Sequence, residues 1–461
     1  MKIKKWSTLF GLIIALMGYT LLNAHGLPHP QAIAAAIALL TLLWWITEAL
    51  PIPATSLVPL AAFPLFGIVS HKTIAYSLGN HVILLLMGAF MLSKAIEKSG
   101  IAKRLALYLL YIIGGQSGKR LVLGFMLAAS FLSMWLSNTA TTLMMLPIAM
   151  ACIDNLDLLN NRNRQLQQAL ILGIAYAANV GGVGTLIGTP PNLIFAGIYE
   201  ELTGNYFDFS AWLAIGLPIV MIALPFMAWW LTRGLEKTAP VELPRLDAWR
   251  QEEWRTLLIV GLTAIAWITR KEPFGGWSLA FNLPMVGDST VVLVAVILLF
   301  ATPNGKSGRL LDWEHAKTIP WDTLLLFAGG IALAKGMSAS GLVTVLANKL
   351  AILTVLPTYA MLLSLCLIVT FLTEMTSNTA ITTLLMPLLA SVAMATKLPP
   401  SLLMIPAAIS SSCAFMLPVA TAPNAIAFGT GTLHISDMIK KGFILSLLLA
   451  FIIATVCYLQ L

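Results

Sequence analysis

The chain has 461 residues, of which 59% are hydrophobic and only 10% charged, with a mean hydropathy of +0.88. Soluble domains are about half apolar and a quarter charged, so this composition excludes a soluble globular protein and indicates a polytopic membrane protein. The net charge of +8 does not indicate nucleic acid in such a chain, because membrane proteins gather basic residues in their cytoplasmic loops.

Apolar runs near the roughly 20 residues needed to cross a bilayer recur from end to end. The first, LFGLIIALMGYTLL after MKIKK, begins like a signal peptide, but no small-residue cleavage site follows it, so it is read as a retained helix. With a cytoplasmic N-terminus, crossings are predicted over 6–24, 31–50, 54–70, 80–97, 166–199 (broken), 210–231, 256–269, 289–301, 321–338, 401–428 (broken) and 442–459. That makes about eleven transmembrane helices and an external C-terminus in the cell (inner, plasma) membrane. Lys and Arg then favour the N-terminal side about four to one, as cytoplasmic loops require. Only Lys72, Arg270, Lys271, Lys349 and Lys397 fall outside, while Lys94 and Lys335 stay within helices.

Two further apolar segments, 121–153 and 359–396, do not fit as crossings. Each is interrupted centrally by Ser-Asn-Thr, in SNTATTLMMLPIA (137–149) and SNTAITTLLMPLL (377–389). Both are read as re-entrant hairpins, whose non-helical tips survive at membrane depth only where protein or a water-filled cavity surrounds them. The charge pattern puts the first hairpin on the cytoplasmic side and the second on the outer side, which predicts an inverted repeat. ILLLMGAFMLSKAIEKSG (83–100) matches LLLFAGGIALAKGMSASG (324–341), the tips match each other, and GTPPN (188–192) matches ATAPN (420–424), in the same order and at nearly constant offsets. The expected organisation is N-terminal helices (1–75), a first repeat (76–232), a solvated cytoplasmic linker (233–255), connecting helices (256–320) and a second repeat (321–461). Interrupted helices in inverted repeats mark the midplane binding site of secondary transporters.

Each half therefore offers the same parts. A hairpin tip supplies hydroxyls and amides (Ser137, Asn138, Thr139; Ser377, Asn378, Thr379), and a proline-broken helix supplies unpaired backbone groups around GTPPN or ATAPN. Helix N-termini attract anions, and unwound carbonyls with neutral oxygen side chains suit hard cations such as sodium. Neither tip nor either break contains Lys or Arg. A dianion in such a site needs a counter-charge, and bound sodium is the simplest source.

These paired SNT tips and GTPPN and ATAPN breaks resemble those of the divalent-anion/sodium symporter family, the INDY-type di- and tricarboxylate carriers, across nearly the whole chain. The resemblance implies a homodimer of all-α protomers, each with a scaffold domain that includes residues 1–75 and a transport domain that moves as an elevator. It implies a first sodium site of Ser133, Ser137, Asn138 and Gly188, and a second of Thr373, Thr376, Asn378 and Ala420. It implies substrate contacts at Asn138, Thr139, Thr189, Asn378, Thr379 and Thr421. At least two sodium ions, a di- or tricarboxylate anion and no organic cofactor are the expected ligands. The sequence departs from strict symmetry where Ala422 stands opposite Pro190.

Other residues carry less chemistry. Cys152, Cys366, Cys413 and Cys457 lack disulfide or zinc spacing and are read as small packing residues. The six histidines lack metal-ligand spacing, Trp44, Trp45, Trp229 and Trp230 read as interface anchors or scaffold packing, and Lys94 and Lys335 as snorkelling near helix ends. Glu374, whose counterpart in the first half is Met134, is expected at a solvated hairpin rim. The leading function is sodium-coupled uptake of a small dicarboxylate such as succinate, malate or fumarate. Alternatives are a sodium-independent dicarboxylate or citrate exchanger of the same fold and an anion channel. No Ser-His-Asp, HExxH or paired-carboxylate pattern lies at membrane depth, so an enzyme is not expected.

Overall fold

The computed structural model describes residues 2–113, 117–153, 161–235, 243, 246–271, 275–350 and 357–461, and every element among them is a helix. Helix α1 (Lys2–Ala24) packs on α2 (His29–Thr47), followed by the short α3 (Ile52–Thr55), α4 (Leu57–Leu65) and α5 (His71–Ala75). The first repeat runs α6 (His81–Ser99), α7 (Ile101–Ile113), α8 (Gly118–Ser133), α9 (Asn138–Ile153), α10 (Asn161–Gly181), α11 (Pro190–Thr203) and α12 (Phe209–Leu231). Connecting pieces are α13 (Gln251–Ile268), α14 (Gly276–Ala280), α15 (Asp288–Ala301) and α16 (Trp313–Ala316). The second repeat runs α17 (Trp321–Ala339), α18 (Leu342–Leu350), α19 (Thr358–Thr373), α20 (Asn378–Thr396), α21 (Pro400–Ser411), α22 (Ala422–Gly429) and α23 (Ile435–Gln460).

Among the described residues five helices are singly long and apolar enough to cross a bilayer: Trp6–Ala24, His29–Thr47, Asn163–Gly184, Phe209–Leu231 and Ile435–Gln460. The hairpin legs α8, α9 and α19 have 16 residues each. At 1.5 Å per residue such a leg reaches about 24 Å, short of the roughly 30 Å hydrocarbon core. Three of the four legs are thus too short to cross singly, while the fourth, α20, has 19 residues and reaches about 28 Å.

Some boundaries differ from the sequence expectation. Helices α7 and α18 appear at matched places, each after a left-handed glycine, Gly100 (φ 76°) and Gly341 (φ 78°). These turns end α6 and α17 and release the chain at a new angle. The expected helix 54–70 is broken at Ser56 and closed at Gly67 (φ 69°), with Pro53, Pro59 and Pro64 each removing a backbone donor. Helix α23 starts at Ile435 rather than 442, its polar first turns having hidden it.

The linker 233–255 is only partly solvated. Its Lys237 and Arg245 lie outside the described residues, but its C-terminal end is clamped. Arg104, 6% exposed, donates to a Glu253 carboxylate oxygen at 2.9 Å and to the carbonyls of Asp247 and Ala248 at 2.8 Å each. A buried guanidinium requires such partners, and satisfying them fixes this stretch on α7. All four cysteines are buried and free, as their isolated spacing suggests.

Candidate functional site

The hairpin tips are built alike. Ser133, the last residue of α8, is buried and donates from Oγ to Asn138 Oδ1 at 2.7 Å; Thr373, the last of α19, places its one hydroxyl proton between Asn378 Oδ1 at 2.6 Å and the Ser411 carbonyl at 2.8 Å. Thr142 and Thr382 each donate to the carbonyl of the asparagine four residues earlier, at 2.8 Å. Ser137 and Ser377 accept from the backbone N–H groups of Ala140 and Ala380, at 3.2 and 3.5 Å, and so start the return legs. Each asparagine thus has a fixed backbone and an amide oriented by one hydroxyl.

The breaks are also alike. Thr189 and Thr421 take extended backbone at the starts of α11 and α22, with φ, ψ of −144°, 145° and −142°, 153°. The amide of Asn192 donates to the carbonyls of Gly182 (3.0 Å) and Thr185 (2.7 Å), and that of Asn424 to those of Ala414 and Leu417 (3.1 Å each). In both halves the asparagine of the PN motif stitches the unwound loop closed, satisfying carbonyls that bare backbone at this depth leaves unpaired. The halves differ at one donor: Ala422 carries a backbone N–H at the first turn of α22, where Pro190 of α11 has none.

Tips and breaks converge on one cavity of about 480 Å³. Asn138, Thr139, Thr189, Asn378, Thr379 and Thr421 all line it, as do Ser137, Gly188 and Ala420. Its lining holds no charged side chain. A Cβ built on Gly182 would stand 2.7 Å from Asn138 Oδ1 and 3.1 Å from the Gly188 carbonyl oxygen. Two oxygens of the first expected sodium set therefore lie close around Gly182, in packing that leaves no room for a side chain there, and neutral oxygens of this kind are the donors a hard cation prefers.

Not every expected ligand faces this cavity. Ser133 and Thr373 do not line it and are hydrogen-bonded to the asparagine amides that do. Thr376 returns its hydroxyl to the Leu372 carbonyl (2.8 Å) and lines a neighbouring pocket with Trp45 and Met375, while Ser377 occupies the cavity position matching Ser137.

Glu374 departs from the expected solvated rim. It is 2% exposed, and its carboxylate accepts from the backbone N–H groups of Phe415 (2.6 Å), Met416 and Leu417 (2.9 Å each). The unwound loop before α22 presents three donors in a row, and only an acceptor with two oxygens satisfies them together. Lys335 likewise does not simply snorkel. Its Nζ lies 3.2 Å from Glu201 of α11, whereas Lys94 pairs within its own helix with Glu97 at 2.8 Å. Asn179 escaped the sequence reading, although a lone amide in the apolar run IAYAANV was the available signal.

The cavity extends along Ala89, Phe90 and Ser93 of α6 and Pro320 and Thr323 at the start of α17. That is the end carrying Lys98, Arg309 and Lys317. On the opposite side α11 packs against α17 and α6, where a Cβ on Gly197 would touch Ile331 at 3.4 Å and Val82 at 3.7 Å. Ion pairs His81–Glu200 (2.5 Å) and Lys335–Glu201 sit at the mouth of this closed seam.

The arrangement has known counterparts. A family model for the sodium:sulfate symporter transmembrane region matches residues 2–460. The sodium-dependent dicarboxylate transporter SdcS of Staphylococcus saprophyticus is 38% identical over 471 residues, spanning 98% of this chain and 90% of that protein. SdcS of Staphylococcus aureus strain MRSA252 is 39% identical over 484 residues, spanning 99% and 92%. The solved structure of the Alcanivorax borkumensis YdaH transporter superposes with a TM-score of 0.60 over 94% of this chain and 99% of that one, at 14% identity, a likeness of fold alone.

Proposed function

The chain belongs to the sodium:sulfate symporter family, a family of transporters rather than enzymes, and on that premise we propose that it imports a small dicarboxylate together with sodium. The observation that carries the reading is the neutral cavity: four polar motifs converge on it, and none brings a positive side chain. An anion of two charges then depends on co-bound cations for its counter-charge. Relatives at 38 and 39% identity are named for sodium-dependent dicarboxylate transport, which supports the same substrate class.

In this reading Asn138 Oδ1 and the Gly188 carbonyl help hold one sodium, and the mirrored Asn378 and Ala420 region holds a second. The amide N–H groups of the two asparagines, the hydroxyls of Thr139, Thr189, Thr379 and Thr421, and the Ala422 N–H face the carboxylates. With the basic ends cytoplasmic, the cavity opens inward and the sealed α11–α17 seam faces out. Alternating access follows if hairpins, breaks, α12 and α23 travel as one transport domain past a scaffold of the remaining helices, an elevator, in a homodimer.

Two sodium sites make uptake steeply sodium-dependent. Succinate uptake into vesicles is expected to collapse when potassium replaces sodium and to rise with sodium at a Hill coefficient clearly above one. Uptake that persists in potassium and requires internal dicarboxylate would replace this reading with exchange. Conductance that does not saturate would replace it with a channel.

A further inference from the structure

We infer that Asn179 is a positioning residue that turns the Thr421 hydroxyl into an obligate donor toward the anion and links it to Asn138 in the other half. This inference rests on the dicarboxylate reading above and assigns a role to a residue outside both motifs.

The argument runs outward from Asn424. Its Nδ2 donates to two carbonyls, Ala414 and Leu417, so its Oδ1 is turned away from them and toward Asn179 at 3.3 Å. Facing that oxygen, Asn179 must present its own Nδ2, since two facing carbonyl oxygens repel. The same Nδ2 reaches Thr421 Oγ1 at 3.0 Å. On its other side Asn179 Oδ1 accepts from Asn138 Nδ2 at 3.5 Å, a long contact consistent with this orientation. Asn179 borders the cavity yet is only 1% exposed, its amide being turned to these protein partners.

Thr421 Oγ1 also accepts from the Asn424 backbone N–H at 3.2 Å. Two donors then occupy both acceptor sites of the hydroxyl, and its single proton is left to point elsewhere. Thr421 lines the cavity, and a carboxylate is an acceptor only. The hydroxyl is thereby fixed in the one polarity a carboxylate can use, before the anion arrives.

The first half lacks this device. Thr189 accepts no capping bond, and Asn192 Oδ1, the counterpart of Asn424 Oδ1, is buried without a partner among the described residues. One amide serves an otherwise mirrored site, and it presets a hydroxyl only in the second half. Its contact with Asn138 makes the orientation of Thr421 depend on the amide that the first sodium site uses.

The test is a double-mutant cycle on succinate uptake in the full-length protein, with Asn179→Ala, Asn179→Asp, Thr421→Ala and their combinations. Losing a preset donor to a charged group is expected to raise the succinate KM about tenfold or more for Asn179→Ala. Asn179→Asp, which can only accept, reverses the hydroxyl and is expected to raise it further. In the Thr421→Ala background Asn179→Ala adds no further loss, while Asn179→Asp still weakens binding through its charge, and detergent-solubilised melting temperatures of the Asn179→Ala variants stay within a few degrees of the parent. An unchanged KM in Asn179→Ala, or losses that multiply with Thr421→Ala, overturns the inference. If the parent protein itself takes up no succinate, the dicarboxylate reading fails instead, and the hydroxyl polarity is then tested by sodium-dependent sulfate binding to the same variants. Weakening of sulfate binding by Asn179→Ala keeps the role, and unchanged sulfate binding overturns it.

Discussion

At the scale of single residues the chain was legible where polarity stood out against grease. Ser-Asn-Thr at both tips and Pro-Asn at both breaks could be read because the bilayer makes idle polar groups costly, and the structure brings all four motifs to one cavity. Glu374 was visible but misread, because its partners are the three backbone N–H groups of a loop some 40 residues further on, and sequence does not display such a pairing. Asn179 was missed for the same reason, its partners being spread over both halves. The Glu374 contacts yield a sharp expectation. Glu374→Gln keeps the size but offers one acceptor oxygen and an NH₂ group to three donors. Leaving at least one buried N–H unpaired costs about 1–3 kcal/mol. The melting temperature of Glu374→Gln should fall by several degrees, with the Met134→Gln control on the symmetric tip much less affected. A Glu374→Gln protein as stable as the parent would mean that the carboxylate does not hold the loop.

Elements were legible through apolar periodicity and proline, and less so where helices are short or turn on glycine. The broken helices and hairpins follow from prolines and from leg length, whereas α7 and α18, with 13 and 9 residues beyond the turns at Gly100 and Gly341, are too short to stand out as crossings and remain unassigned from sequence alone. Outside the membrane-spanning segments, α6 is stapled to the α15–α17 connection. Lys98 Nζ donates to Asp312 Oδ2 at 2.7 Å and to the Arg309 carbonyl at 2.9 Å, and the His315 backbone N–H reaches Asp312 Oδ1 at 2.9 Å. The Lys98 ammonium, then the His315 ring and backbone, hold the Asp312 carboxyl well below its ordinary value of 3.8. A depressed carboxyl adds stability that is whole above the ordinary value and disappears only as pH falls through the lowered one. Asp312 is partly exposed, so the contribution is at most about 1 kcal/mol. Asp312→Asn should therefore lower the melting temperature by a small amount at pH 7 and still do so at pH 5. A difference that has already vanished at pH 5 would contradict the assignment.

For the molecule as a whole, the inverted repeat was the most readable feature, because two copies of each motif at fixed offsets leave few arrangements open. Sequence could not reveal that the copies make unequal contacts. Helix α11 packs closely on α17, while between their counterparts α22 and α6 no comparable packing is found among the described residues. The α11–α17 side is therefore closely packed and is tied by Lys335–Glu201 and His81–Glu200. If the two bodies move past each other, these ties must part in every cycle. Cysteines placed at Glu201 and Lys335 and joined by a short, cleavable bifunctional thiol reagent should abolish uptake, and cleavage of the bridge should restore it. The native cysteines are buried and should not compete. Full uptake after complete cross-linking would rule out motion at this seam.

The closed seam also sets stability against speed. If the proposed cycle opens the seam, each contact across it, from the Gly197–Ile331 packing to the two ion pairs, strengthens one arrangement of the molecule at the expense of the other that transport must visit. Substitutions that tighten the seam should therefore raise the melting temperature while lowering turnover, and those that loosen it should do the reverse. In most proteins a stabilising change is neutral for function; here the choice of residue at this seam acts as a brake, and selection for faster cycling would be read as selection for a weaker fold.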